Sequence, residues 1–121
     1  MVNKAIILFS HGARDPRWKE PIINVQKLIQ AETPEVKVKL AFLELMTPSL
    51  EECIQELDSQ GIHEMTLVPI FFGQGGHIRE DLPKLLESCS QKFPRMNLTV
   101  KPAVGENLGV LQAIAKYCTD Q

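Results

Sequence analysis

The chain alternates short apolar runs with longer amphipathic ones, and this alternation limits its possible folds more than any other feature. The apolar runs cover residues 5–9, 36–43, 65–72 and 98–100. The first and third are almost continuously apolar, which is typical of strands buried on both faces of a parallel sheet. A helical segment follows each strand. The order βαβαβαβα predicts an α/β fold with a four-stranded, mostly parallel sheet and helices on both faces.

The segments between the strands have apolar residues at helical spacing. Asn107 is a suitable cap for the fourth helix, and the first helix either begins near Lys19 or is kinked at Pro21. In the first helix, four apolar residues fall on one face: Trp18, Ile22, Val25 and Ile29. The predicted buried stripes of the other three helices are, in chain order, Leu50, Ile54 and Leu57; Leu82, Leu85 and Leu86; and Leu111, Ile114 and Cys118.

The second and third helices carry further end signals. Thr47 is the predicted cap of the second helix, with Pro48 at the first helical position and Gly61 at its end. The third helix is predicted over residues 81–93, where Pro83 is tolerated because it falls in the first turn.

Length and composition predict a single domain over residues 1–121. An apolar content of 44% is sufficient for a proper core. The net charge is -2 and no basic block is present, which disfavours nucleic acid as a partner. The longest apolar run, residues 5–9, is too short to cross a membrane, and no signal-like region precedes it, so we expect a cytoplasmic protein without a membrane partner.

The three cysteines argue against a thiol-based site. Cys53, Cys89 and Cys118 are far apart and form no CxxC pair, so a zinc site or a redox dithiol is not expected. We expect buried, unreactive thiols, with Cys118 close enough to the end of the chain to be exposed.

Polar residues follow the first three predicted strands. His11 follows the first strand, Glu44 the second, and His77 the third. In open α/β sheets, ligands bind beyond the carboxyl ends of the strands. Two neutral imidazoles and a carboxylate are suitable ligands for a borderline divalent ion. The alternatives are a His11 that bonds to loop backbone, and a Glu44 that pairs with an arginine or a helix N-terminus.

The segment before His77 is rich in glycine. Gly75 and Gly76 allow the backbone to approach a bulky ligand closely, and we predict that they line the binding site. A phosphate cradle is the competing interpretation, but neither glycine-rich phosphate motif is matched and no lysine follows the glycines.

Charged residues adjoin both histidines. Arg14 and Arg79 are predicted to pair with ligand carboxylates, or else to be solvated or paired with the acidic residue that follows each of them. Asp81 follows His77 by one helical turn. It is predicted either to orient that imidazole or to cap a helix.

These residues belong to motifs that resemble the sirohydrochlorin cobaltochelatase and ferrochelatase family. The resemblance covers nearly the whole chain. The matching motifs are Ser10-His11-Gly12, Ala41-Phe42-Leu43-Glu44 with Pro48 downstream, Val68-Pro69-Ile70-Phe71-Phe72-x-x-Gly75-x-His77 followed by Asp81-Leu82-Pro83, and Pro102-x-x-Gly105.

The resemblance implies an ATP-independent chelatase of cobalamin or siroheme biosynthesis. It implies no bound cofactor, because the divalent metal, Co²⁺ or Fe²⁺, is a substrate. The family fold has two similar lobes around a cleft, and this chain matches one lobe, which implies a homodimer. By the same resemblance, His11 and His77 deliver the metal and remove protons, and Glu44 is a weaker candidate ligand.

The proposed chemistry also suits the residue types. Metal insertion removes two pyrrole protons, which imidazole, with an ordinary pKa of about 6.5, accepts near neutral pH. The expected apolar walls for the macrocycle are Leu45, Met46 and Phe72. Three other functions stay open: a carrier of metal or tetrapyrrole, a phosphoryl-transfer enzyme with His11 as nucleophile, and a non-catalytic half that needs a different partner. The ligand types do not select among cobalt, iron and nickel.

Overall fold

A parallel sheet lies at the centre of the computed structural model, which describes residues 3–73 and 76–120 and the side chains of all of these except 76–78. Its strands are β1 (Lys4–Ser10), β2 (Lys37–Phe42), β3 (Glu64–Pro69) and β4 (Asn97–Val100). Their order is β2-β1-β3-β4, and each neighbouring pair is parallel. The helices are α1 (Glu20–Glu32), α2 (Leu50–Ser59), α3 (Gly76–Lys92) and α4 (Leu108–Thr119), with 3-10 helices over Pro16–Lys19 and Val104–Glu106. Within the described ranges, no helix has both the length and the hydropathy that crossing a bilayer requires.

Side chains of β1 alternate between two apolar layers, because β1 lies inside the sheet between β2 and β3. Ile7 and Phe9 are fully buried in the layer that contains α2 and α3. Ile6 and Leu8 belong to the opposite layer, where they pack with Ile22 of α1. Helices thus cover both faces, and the predicted α/β fold with its alternating strands and helices is confirmed.

The start of α2 differs from the prediction. The N-cap is Ser49 instead of Thr47, and Pro48 precedes the helix instead of occupying its first position. The Ser49 hydroxyl accepts a hydrogen bond from the Glu52 amide at 3.2 Å, and the Glu52 carboxylate accepts one from the Ser49 amide at 2.9 Å. This capping box satisfies two amides that lack partners inside the helix, and it therefore fixes the start of α2. The buried stripe predicted for this helix is confirmed.

The start of α1 decides between the two predicted alternatives, and the start of α3 differs from its prediction. The 3-10 helix over Pro16–Lys19 precedes α1, so Pro21 falls in the first turn of α1, where its missing amide is harmless. Trp18 therefore lies outside α1, so the prediction that it shares one face of the first helix with Val25 is wrong. Trp18 and Val25 are each 40% exposed. The predicted start of the third helix near residue 81 is also wrong. Helix α3 begins at Gly76, and Pro83 lies in its interior.

The apolar stripe of α4 is not buried. Asn107 caps α4 as predicted, with its side-chain oxygen accepting a hydrogen bond from the Val110 amide at 3.0 Å. However, Leu111 and Ile114 are 40% and 37% exposed, Cys118 is exposed, and no residue of α4 is buried. The predicted burial of this stripe is therefore wrong for the single chain, since neither apolar layer of the described residues includes a residue of α4.

Two of the three thiols lie inside the core. Cys53 and Cys89 are fully buried between the sheet and helices α2 and α3. Burial raises the pKa of Cys53 to about 12 and also raises the pKa of Cys89. Because the thiolate is the reactive form, both groups are protected at neutral pH.

Candidate active site

The loops that follow β1 and β2 are pressed together at the carboxyl edge of the sheet, where the strands end. The Ser10 carbonyl accepts a hydrogen bond from the Leu43 amide at 2.9 Å, and the His11 carbonyl accepts one from the Glu44 amide at 3.0 Å. Gly12 has a φ of 99°, and a Cβ at this position would overlap the Glu44 carbonyl oxygen. Glycine is therefore the residue that fits here, and its close approach places His11 beside Glu44.

The side chains of His11 and Glu44 meet at this edge. Nε2 of His11 lies 3.3 Å from Oε1 of Glu44, and the two side chains are 42% and 48% exposed. Nδ1 of His11 lies 3.3 Å from the carbonyl oxygen of Gly12. One ring nitrogen thus faces the loop backbone, while the other faces the carboxylate and solvent.

This arrangement favours a cation between the two side chains. A carbonyl oxygen is an acceptor, so its contact with Nδ1 favours the tautomer that carries its proton on Nδ1. Nε2 then directs a lone pair at the Glu44 carboxylate, which is also an acceptor. Two acceptors 3.3 Å apart attract each other when a proton or a metal ion lies between them. Since imidazole nitrogen and carboxylate oxygen are both ligands of divalent metals, the His11–Glu44 pair is suited to hold an ion or a proton.

Apolar side chains flank this pair. Leu45, adjacent to Glu44, has a φ of 67° and is 58% exposed. Met46 is half-buried, and Phe72, which follows β3, is 71% exposed. Since β1 lies between β2 and β3, these three residues lie on both sides of the loop that carries His11. Leu45 and Phe72 are thus exposed apolar side chains at the same edge of the sheet as His11 and Glu44.

A second close approach fixes the loop after β3. The Gly105 amide donates a hydrogen bond to the Phe71 carbonyl at 2.9 Å, and a Cβ at Gly105 would overlap the backbone of Phe72. The Phe71 ring packs edge-on against Phe9, with 6.0 Å between ring centroids. The turn before α4 thus holds the exposed Phe72 in place. The Pro102-x-x-Gly105 motif is the sequence signal for this contact, although the spacing alone does not reveal its partner.

The third candidate ligand, His77, is the second residue of α3. Its side chain lies outside the described part of the chain, as does that of Gly76, and Gly75 lies outside the described residues altogether. Asp81 follows one helical turn after His77 and is half-buried. Among the described side chains there is no group of three or more metal ligands. His11 and Glu44 are therefore the predicted ligands whose side chains the structure brings together.

Arg14 and Arg79 are both exposed. Among the described side chains, Asp15 pairs with Arg17 instead of Arg14, with 2.8 Å between Nη2 of Arg17 and Oδ2 of Asp15. The Arg17 side chain holds the pKa of Asp15 below its usual value. Asp15 also accepts a hydrogen bond from the Arg17 amide and so caps the 3-10 helix. Asp15 is thus paired with Arg17, which leaves Arg14 available to a ligand.

Sequence comparison finds relatives along most of the chain. The chain is 32% identical over 82 residues to the sirohydrochlorin cobaltochelatase of Methanococcoides burtonii, a match that covers 68% of this chain and 63% of that protein. It thus spans less than two thirds of that relative. It is 29% identical over 116 residues to the sirohydrochlorin cobaltochelatase of Sulfurisphaera tokodaii, which covers 96% of this chain and 88% of that protein.

Comparison with solved structures and with a family model finds similarity to the same group of proteins. A cobalamin biosynthesis CbiX protein from Marinobacter aquaeolei superposes with a TM-score of 0.78 at 28% identity, covering 95% of this chain and 93% of that one. The sirohydrochlorin chelatase SirB from Bacillus subtilis subspecies spizizenii, solved with cobalt, shares the fold with a TM-score of 0.80 at 20% identity, covering 97% of this chain and 50% of that one. The CbiX family model matches residues 5–121, and the chain therefore belongs to the CbiX family.

Proposed function

We propose that this protein inserts a divalent metal ion, cobalt or iron, into sirohydrochlorin. The observation that carries the proposal is the 3.3 Å approach of Nε2 of His11 to Oε1 of Glu44 at the carboxyl edge of the sheet. The names of the relatives and the family match support the same reaction. Because nitrogen and oxygen ligands accept cobalt and iron alike, geometry and metal supply select between the two ions.

Insertion exchanges two protons for one metal ion. The macrocycle loses two pyrrole N–H protons as its nitrogens form bonds to the ion. In the proposed mechanism, His11 and His77 present the ion and accept these protons, and Glu44 shares the ion or the proton held at Nε2 of His11. Partial coordination by the protein leaves positions open for the macrocycle nitrogens. The metal is a substrate here, and the mechanism requires no bound cofactor.

The surroundings of this pair suit a flat, carboxylate-rich substrate. Arg14 and Arg79 are proposed to bind the substrate carboxylates, which the planar guanidinium matches with two parallel hydrogen bonds. Asp81 is proposed to orient the imidazole of His77. The residues proposed to contact the macrocycle itself are Leu45, Met46 and Phe72 through their side chains, and Gly75 and Gly76 through their backbone.

A homodimer is proposed to complete the binding cleft. The side chains of His11 and Glu44 are 42% and 48% exposed, whereas ligand pockets usually bury about 70–90% of their ligand. This chain matches half the length of SirB, so a second copy has the size of the missing half. The single sheet edge would then form one wall of the cleft, with the second copy as the other.

The test is an absorbance time course with purified protein, sirohydrochlorin and cobalt(II), repeated with iron(II) without oxygen. A protein-free blank is needed because free metal inserts slowly. We expect His11→Ala to lower the rate above the blank by about 100-fold or more, the usual effect of losing an acid–base group. His63→Ala is the matched control, because His63 pairs with Asp58 at 3.2 Å near the start of β3, at the opposite edge of the sheet.

Two results would count against this function. A His11→Ala protein with the wild-type rate would exclude the proposed role of the His11–Glu44 pair. A spectral change that stops at one equivalent of protein, without turnover, would instead identify a carrier of metal or tetrapyrrole.

A further inference from the structure

Trp18 is the single tryptophan of the chain, and it is 40% exposed. Neither apolar layer of the described residues includes it. Aromatic side chains bury the largest apolar areas in protein cores, and tryptophan is the largest of them. A tryptophan outside both layers therefore leaves part of a broad, flat apolar ring in contact with solvent.

Hydrogen bonds fix the backbone around Trp18 although its side chain is exposed. The residue lies in the 3-10 helix over Pro16–Lys19, and its amide donates to the Asp15 carbonyl at 3.0 Å. The guanidinium of Arg17 donates to both carboxylate oxygens of Asp15, with Nη2 2.8 Å from Oδ2 and Nε 3.2 Å from Oδ1. The Arg17 amide also donates to Oδ1, at 2.9 Å. A ligand that contacts Trp18 would thus not have to order this segment first.

Trp18 lies at the carboxyl edge of the sheet. Helix α1 connects the parallel strands β1 and β2, so it runs back from the carboxyl edge to the amino edge. Gln26 of α1 donates to the Val38 carbonyl at 2.7 Å. From Gln26 back to Trp18, the helical rise carries the chain about 13 Å toward the carboxyl edge. From Val38 to Phe42, the last residue of β2, the strand also advances by about 13 Å. Trp18 is therefore at the height where the strands end and the loop of His11 begins.

A cavity joins the 3-10 helix to the loop that contains Glu44. The cavity has a volume of about 520 Å³, and its lining includes Lys19, Phe42 and Thr47. Because Phe42 precedes Glu44 by two residues and Thr47 follows it by three, this loop and the 3-10 helix border the same space. Trp18, which adjoins Lys19 in the chain, thus lies close to the loop of a proposed metal ligand.

The charges near Trp18 suit a flat ligand with acidic groups. Arg14 is exposed and Lys19 is half-buried. Arg17 is held by Asp15, whereas Arg14 and Lys19 form no ion pair with an acidic side chain that the structure describes. An aromatic face stacks on a flat conjugated ring, and cations bind carboxylates at the rim of such a ring. The surroundings of Trp18 therefore match a flat polycarboxylate.

We propose that Trp18 is a further substrate-binding residue of the chelatase site, whose indole ring stacks on the rim of the sirohydrochlorin macrocycle. In this arrangement the His11–Glu44 pair holds the ion at the centre of the macrocycle, while Trp18 holds one side of it. The indole nitrogen is a donor without a lone pair for a cation, so Trp18 adds affinity for the macrocycle and none for the metal. The assignment deepens the proposed function, on which it rests.

The test is the binding of sirohydrochlorin without metal, followed by the absorbance of the macrocycle. Trp18→Ala should raise the dissociation constant by about 3- to 10-fold, the usual value of one aromatic stack. Trp18→Phe is the matched control, because it keeps a flat ring and should raise the constant by about 2-fold at most. Cobalt(II) affinity, measured by titration, should be the same in all three proteins. Circular dichroism verifies that both variants are folded.

The kinetics of metal insertion give a second readout. Trp18→Ala should raise KM for sirohydrochlorin and leave kcat unchanged, because stacking is the same before and during insertion. Wild-type affinity for sirohydrochlorin in Trp18→Ala would overturn the assignment. Equal losses of affinity for cobalt and for the macrocycle would also overturn it, since they would indicate a distorted site. Weaker macrocycle binding in Trp18→Ala, with no turnover even in the wild type, would count against the proposed reaction and not against this assignment.

Discussion

At Gly12 the loop after β1 comes so close to the backbone of Glu44 that no side chain fits between them. The same contact sets the distance between Nε2 of His11 and Oε1 of Glu44 at 3.3 Å. Gly12, which has no side chain, thus positions His11 and Glu44, the two residues that are proposed to hold the metal ion. Because the φ of Gly12 is 99°, both the backbone conformation and the available space select glycine.

Gly12→Ala tests this role. The added Cβ must push the two loops apart, and the left-handed backbone adds strain, so we expect a loss of roughly 1–3 kcal/mol in the free energy of unfolding. The separation of His11 from Glu44 should also weaken cobalt(II) binding, measured by titration. Gly73→Ala is the control, because a Cβ at Gly73 has no neighbour within 4 Å among the residues that the structure describes. Wild-type cobalt affinity in Gly12→Ala would show that the close approach does not position the pair.

The proximity of His11 and Glu44 could be predicted from the sequence, but the local geometry of their loops could not. His11 and Glu44 follow parallel strands, and parallel strands end at the same edge of a sheet, so their proximity follows from topology. The positive φ of Leu45 and the contact of Gly105 with Phe72 depend on loops that meet from distant parts of the sequence. Periodicity contains no information about such contacts.

At the scale of the secondary-structure element, the ends of helices could likewise be predicted only in part. Periodicity correctly predicted the buried face of α2, but Thr47 and Ser49 are both acceptable caps. The decisive residue is Glu52, which returns a hydrogen bond to the Ser49 amide. The exposed stripe of α4 is a different case: its apolar spacing is present, but the spacing alone does not show whether the chain itself buries the stripe.

The capping box gives a test at this scale. Ser49→Ala removes the hydroxyl that accepts from the Glu52 amide, and we expect it to lower the free energy of unfolding by about 1 kcal/mol. Thr47→Ala, two positions earlier, should change it by a few tenths at most, because Thr47 does not cap α2. Urea unfolding of both variants measures the difference. A larger loss in Thr47→Ala than in Ser49→Ala would restore Thr47 as the cap.

At the scale of the whole molecule, the single chain leaves two surfaces incomplete. The His11–Glu44 pair lies at an open sheet edge, and the apolar stripe of α4 is exposed. The turn at Gly105 connects the two surfaces, because it contacts Phe72 at the site and then leads directly into α4. The second copy in the proposed homodimer would provide a partner for both.

Thiol labelling tests whether the proposed homodimer covers the apolar face of α4. Cys118 is exposed in the single chain and lies on the apolar face of α4, so a dimer that buries this face should cover it. Its labelling by a maleimide should slow as protein concentration rises, in proportion to the fraction of monomer, and should stay fast at all concentrations in Ile114→Glu, which places a charge on that face. Cys53 and Cys89 serve as internal references, because their burial and raised pKa values keep them unreactive until the protein unfolds. If Cys118 reacts at one rate while the protein passes from monomer to dimer, the dimer is held by a surface other than α4.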